Sequence, residues 1–140
     1  MTESTFRGVI MRPSTISPVT RGGGITTRPL VGPRIGNASF LSGITEFPPS
    51  AALNVHTHNC EESVMILEGT AEVEVDGVRT PLEVSNVTWV PANVPHRFIN
   101  TSDDAPMRIF WTYASAEATR TNPETGETHT ILSEHEVVAQ

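Results

Sequence analysis

The sequence predicts an all-β fold: a sandwich or barrel of seven or eight short strands with an extended arm in front of it. Three observations lead there. Glycine and proline together make up 21 of the 140 residues, which favours short elements and turns over long helices. Between Asn37 and Tyr113, short β-type runs recur at regular spacing between turn-forming residues. No amphipathic helix pattern precedes Ala114.

Taken in order, residues 1–37 read as an extended N-terminal arm. Pro13, Pro18, Pro29 and Pro33, with the run Gly22-Gly23-Gly24, block long regular structure there. The glycine triplet has neither a lysine nor a following helix pattern to make a phosphate loop, so a plain turn is expected. Arg7–Met11 and Ile25–Val31 are strand-like pieces, and the second is expected to add to the edge of a sheet, in cis or in trans. Residues 38–114 form the barrel. Ser39–Phe47 reads as a strand, followed by the turn Pro48-Pro49-Ser50. Leu53–His58 alternates, with Asn54, His56 and His58 on one face. Glu62–Glu68 and Ala71–Val75 follow, and Asp76-Gly77 is a two-residue hairpin turn that returns the chain into Val78–Leu82. Asn86–Val90, His96–Asn100 and Met107–Tyr113 complete the set. Residues 115–140 are a polar, acidic tail, expected to pack on or near the barrel and to hold at most a short helix or strand.

Charge excludes several functions. The net charge of −7 argues against nucleic acid as a partner. All nine basic residues are arginines, so lysine Schiff-base chemistry and pyridoxal phosphate attachment are excluded. Five of those arginines lie in residues 1–37 with a single glutamate, which sets a basic arm against an acidic barrel and tail. The longest apolar run, Val64-Met65-Ile66-Leu67, is far too short to cross a membrane. Met1–Phe6 shows no secretory pattern, and one cysteine suits a reducing cytoplasm, the expected location.

The chemistry concentrates in His56-Thr57-His58, with Glu62 four residues on and His96 downstream. On a strand, residues two apart face the same way, so His56 and His58 present two imidazoles to one side. Neutral imidazoles and a carboxylate suit one divalent transition metal ion: Fe, Mn, Ni, Co, Cu or Zn.

The segment Ser50-(x5)-His56-x-His58-(x3)-Glu62-(x6)-Gly69 resembles the first motif of the cupin superfamily, and Ser85-(x5)-Pro91-x-Asn93-(x2)-His96-(x3)-Asn100 resembles its second. The short stretch between them is similar to that of small single-domain bacterial cupins. The resemblance implies a cupin-type double-stranded β-helix, or jelly-roll barrel. It also implies that His56, His58, Glu62 and His96 are the metal ligands, with Glu62 either a ligand or a residue that orients one. Ser50, Ser85 and Asn93 stand where the motifs usually show glycine, and the serines suggest turns that do not need positive φ. The substrate pocket is expected to draw on Asn54, Phe98, Trp89, Trp111 and Tyr113. His129 and His135, in the tail, are expected to be solvated.

An open metal site of this kind implies an enzyme acting on a small organic substrate, aromatic or oxygen-chelating, with Glu62 as a general base. Oxygenase-type (dioxygenase) chemistry is the first expectation. The alternatives are a redox-neutral Lewis-acid isomerase, lyase or polyketide-cyclase type of reaction, and a non-catalytic small-molecule-binding cupin. The expected assembly is a homodimer.

Overall fold

A computed structural model describes residues 7–136. Twelve strands run through it: β1 (Val19–Gly22), β2 (Ile25–Pro29), β3 (Leu41–Phe47), β4 (Thr57–His58), β5 (Glu62–Glu68), β6 (Ala71–Val75), β7 (Val78–Leu82), β8 (Val87–Val90), β9 (His96–Asn100), β10 (Met107–Tyr113), β11 (Thr119–Thr121) and β12 (Thr128–Thr130). Among the described residues, helical structure is confined to three 3-10 turns, Pro13–Thr15, Pro33–Ile35 and Ile131–His135. The all-β expectation holds.

One antiparallel sheet has the order β1-β2-β3-β10-β5-β8. Facing it are β7-β6-β9 and β12-β11-β4. Isolated antiparallel bridges, Ala52 to Ile99 and His56 to His96, tie the chain ahead of β4 to β9 and connect those two pieces. Alternation decides which side chains fill the space between the sheets. In β10, Met107, Ile109, Trp111 and Tyr113 are buried, and the residues between them are not. In β5 the buried positions are Glu62, Val64 and Ile66. Phe47, Val73 and Phe98 complete this core from β3, β6 and β9. A chain of hydrogen bonds crosses the first sheet: Trp111 Nε1 donates to Thr45 Oγ1 at 2.8 Å, and Thr45 and Thr27 share a 2.8 Å hydroxyl bond.

Several expectations need correction. Arg7–Met11 forms no strand. Ile25–Pro29 joins the sheet in cis against β3, but in second position, because Val19–Gly22 pairs outside it and takes the edge. Leu53–His58 is a strand only at Thr57–His58; upstream it touches β9 through single bridges. The serine turns also differ from expectation. Ser50, Ser85 and Asn93 have φ of 65°, 76° and 65°. These turns keep the left-handed geometry that glycine serves best, although two of them carry serine. The glycine triplet is the plain β1–β2 turn, and Asp76-Gly77 closes the β6–β7 hairpin with φ of 50° and 81°.

Candidate metal centre

His56, His58, Glu62 and His96 are all buried, and one potential ligand atom from each lies within 4.8 Å of every other. The fold explains the convergence. His56, just ahead of β4, and His58, within it, project on one side, Glu62 opens β5 on the opposite sheet, and His96 opens β9, bridged to His56. Glu62 is 4% exposed, whereas its neighbour Glu61 faces solvent.

Backbone carbonyls orient all three rings. His56 Nδ1 donates to Asn54 O at 2.7 Å, His58 Nδ1 to Thr119 O at 2.9 Å, and His96 Nδ1 to Val94 O at 2.8 Å. A carbonyl oxygen only accepts, so each neutral ring carries its proton on Nδ1 and presents a lone pair at Nε2. Glu62 Oε2 lies 3.2 Å from His58 Nε2, and Oε1 lies 3.2 Å from His96 Nε2. These approaches lack hydrogen-bond geometry: His58 Nε2, His96 Nε2 and Glu62 Oε1 are buried without a partner. Lone pairs facing a carboxylate in a buried space repel unless a cation lies among them. The donor set therefore fits a divalent transition metal ion.

The electrostatics of His56 and Glu62 agree. Burial holds the His56 imidazolium far below the ordinary histidine range, reinforced by Arg120 and the neighbouring rings, so this ring stays a neutral donor. Burial would raise Glu62, but His58 and His96 overcome it and hold the carboxyl well below the usual range. Burial opposes the charged form of His96, and Glu62 outweighs it and raises the ring. Glu62 is thus a carboxylate that draws positive charge toward it.

A small cavity adjoins the cluster, walled by His56, Glu62, Phe98, Ile109, Trp111 and Tyr113 from the barrel. Tyr113 packs on His58 with ring centroids 4.5 Å apart, and Trp111 on Tyr113 at 5.0 Å. Of the residues expected in the substrate pocket, Phe98, Trp111 and Tyr113 line this cavity. Two pocket residues do not. Trp89 is 63% exposed on the outer face of β8, with its Nε1 donating to Glu61 Oε1 at 3.0 Å. Alternation explains it, since Val90 is the inward residue of that strand. Asn54 is exposed, and it serves the site through its carbonyl rather than its amide.

Sequence reasoning missed four titratable cavity residues: Arg21 from β1, Arg120 from β11, and Glu134 and His135 from the last 3-10 turn. His135 is 6% exposed and stacked on Trp111 at 5.5 Å, so the expectation of a solvated ring is wrong for it. His129 is half exposed, bonded to Glu134. Arg120 was the one signal available, as the single arginine among the acids of residues 115–140.

An antiparallel two-sheet barrel with histidines and a carboxylate converging between its sheets defines a barrel of the cupin class. The family profile described as "Cupin domain" matches residues 43–113, about half of the sequence, and the chain belongs to that family. Protein SchB of Streptomyces halstedii is 32% identical over 111 residues, 79% of either chain. Polyketide synthase CurC of Streptomyces cyaneus is 30% identical over 96 residues, 68% of this chain, and that stretch spans 62% of CurC. Among solved structures, the polyketide cyclase RemF from Streptomyces resistomycificus superimposes with a TM-score of 0.71 at 17% identity, covering 88% of this chain and 84% of that one. Among the described residues no helix is long and apolar enough to cross a membrane.

Proposed function

We propose that this chain is a metal-dependent cupin enzyme that cyclises an oxygen-rich, polyketide-derived substrate without net oxidation. The observation that carries it is the set of three carbonyl-oriented imidazoles whose Nε2 lone pairs meet Glu62 beside an aromatic cavity. The names of CurC and RemF support the substrate class. His56, His58, Glu62 and His96 would hold the ion, and a divalent ion there acts as a Lewis acid toward adjacent substrate oxygens.

The chain's own residues do the rest. The carbonyls of Asn54, Thr119 and Val94 keep each Nε2 free of its proton. Trp111 and Tyr113 offer flat faces to a planar, ring-forming substrate and exclude water from it. Glu62 is buried and held ionised well below the usual carboxylate range, which suits it to hold a cation and makes it a weak base.

Metal analysis of the purified and reconstituted protein is the first test. Bound metal is expected at one ion per chain, and the paired substitution His56→Ala with His58→Ala is expected to abolish it. Retained stoichiometric metal in that variant would sink the site assignment. The reaction is tested by supplying a poly-β-ketone from a polyketide synthase. Cyclised products of unchanged oxidation level are expected. Oxygen uptake with products that have gained oxygen would replace this reading by the oxygenase one, and ligand bound but unchanged would replace it by a binding role.

A further inference from the structure

The cavity beside the cluster carries two arginines that the cyclase reading leaves unused. Arg21 and Arg120 come from opposite ends of the chain and converge on one carboxylate. Arg21 Nη2 lies 3.0 Å from Glu134 Oε1, and Arg120 places Nε 2.6 Å from Oε2 and Nη2 3.4 Å from Oε1. The arginine side chains are each 12% exposed and that of Glu134 only 7%. We propose that Arg21 and Arg120 form an anion subsite beside the metal centre, that Glu134 fills it in the ligand-free chain, and that the substrate is a planar organic acid whose carboxylate takes the place of Glu134. This names the substrate class for the site proposed above and rests on that reading only for the neighbouring metal.

Charge balance favours it. Glu62 and Glu134 together offset the two guanidiniums, so an ion held by the four donors leaves the cavity with a surplus of positive charge. A carboxylate that takes the place of Glu134 restores the negative charge that Glu134 withdraws, and a neutral ligand leaves the surplus larger. Space favours it too. With Glu134 and His135 in its wall, the cavity has free room for little more than a water molecule. An organic ligand reaches the cluster only when these residues move. They sit on a five-residue 3-10 turn, Ile131–His135, capped by Thr130, anchored at its start by the buried Ile131 and held at its end by the Glu134 ion pairs, by the stacking of His135 on Trp111 and by Arg34, which donates to His135 O at 3.2 Å. Short 3-10 turns are among the easier pieces of a fold to displace.

Next to Glu134, His135 Nε2 is buried without a partner, and the ring faces both this cavity and an outer, more apolar pocket formed by residues 29–34 and Leu132. Displacing the turn joins the two spaces. The joined space has the Arg21–Arg120 pair at its inner end and apolar walls further out, as an aromatic acid requires.

The test is calorimetric titration of the full-length, zinc-loaded protein with 3-hydroxy-2-naphthoate and its neutral analogue 3-hydroxy-2-naphthamide. The wild type is expected to prefer the acid by about tenfold or more, the scale of one charge-assisted hydrogen-bonded contact. Glu134→Gln frees the guanidiniums and is expected to raise acid affinity by about tenfold again without changing the amide. Arg120→Met is expected to erase the preference. Because these variants touch a buried network, hydrogen exchange of the wild type gives a second reading: saturating acid, unlike the amide, is expected to speed exchange across residues 128–136. Equal affinity for acid and amide, a Glu134→Gln variant that weakens both alike, or a turn equally protected at saturating acid would each overturn the proposal. Zinc content of the same samples separates the two ideas. Bound zinc without acid preference removes the anion subsite alone, and acid preference without bound zinc removes the metal reading alone.

Discussion

Ser85 shows how a single backbone angle can be misread from sequence. Its amide donates to Ile66 O at 2.8 Å, and its φ of 76° places a side chain where L-residues are strained. Left-handed backbone costs a residue with a Cβ roughly 1–2 kcal/mol, partly offset for glycine by its looser unfolded state. Ser85→Gly is therefore expected to stabilise the chain by up to about 1 kcal/mol in urea unfolding. His135 adds a pH effect. Burial lowers it from 6.5 to about 4; Glu134 pulls the other way, while Arg21, Arg34 and Arg120 add to the lowering. Its folded form refuses a proton that the unfolded chain accepts, so stability is full above pH 6.5 and falls toward pH 4. The loss is at most roughly 3 kcal/mol from this ring. His135→Phe, which keeps the stacking on Trp111, is expected to flatten the urea midpoint between those pH values; an unchanged slope would show that other groups cause it. The four cluster residues were legible because each motif gives its ligands local spacing. Arg21, Arg120, Glu134 and His135 were not, since they meet only through pairing of the chain's two ends.

At the scale of elements, the pattern gave the long strands well and the short ones poorly. Met107–Tyr113 alternates over seven residues and is paired on both sides, so sequence and structure agree. Leu53–His58 also alternates, yet its ladder is complete only where β11 comes alongside, with Arg120 opposite His58. No local signal in residues 53–58 announces a partner some sixty positions away. That partner matters to the metal centre, because Thr119 O fixes the His58 ring. A chain ending at Ser115 loses that acceptor and the buried Ala118 and Ile131. Its metal affinity is expected to drop by about 10–100-fold, the usual effect of removing the group that orients a ligand. Competition with a calibrated zinc chelator measures it. Full-length affinity in the shortened chain would show that His58 is oriented without the tail.

At the scale of the whole molecule, the basic front of the sequence proves to be built into the barrel rather than hung from it. β1 and β2 extend the large sheet beyond β3, and they bring Val19, Ile25 and Thr27 into the interior. Thr27 is fully buried, and through Thr45 it anchors the Trp111 wall of the cavity. Proline content argued for an edge position, but Pro29 closes its strand and breaks no central ladder, so β2 can sit inside the sheet. A chain beginning at Gly36 would expose the β3 edge over Leu41–Phe47, a strand buried at six of its seven positions. Removing two buried aliphatic side chains costs about 1.5–3 kcal/mol each before the lost ladder is counted. That is a large part of the stability of an ordinary domain. The shortened chain is expected to unfold at markedly lower urea concentration and to aggregate through the open edge. It would also lack Arg21, so any folded fraction should bind 3-hydroxy-2-naphthoate more weakly than the full chain. Unfolding at an unchanged midpoint would mean that the barrel closes without its first two strands.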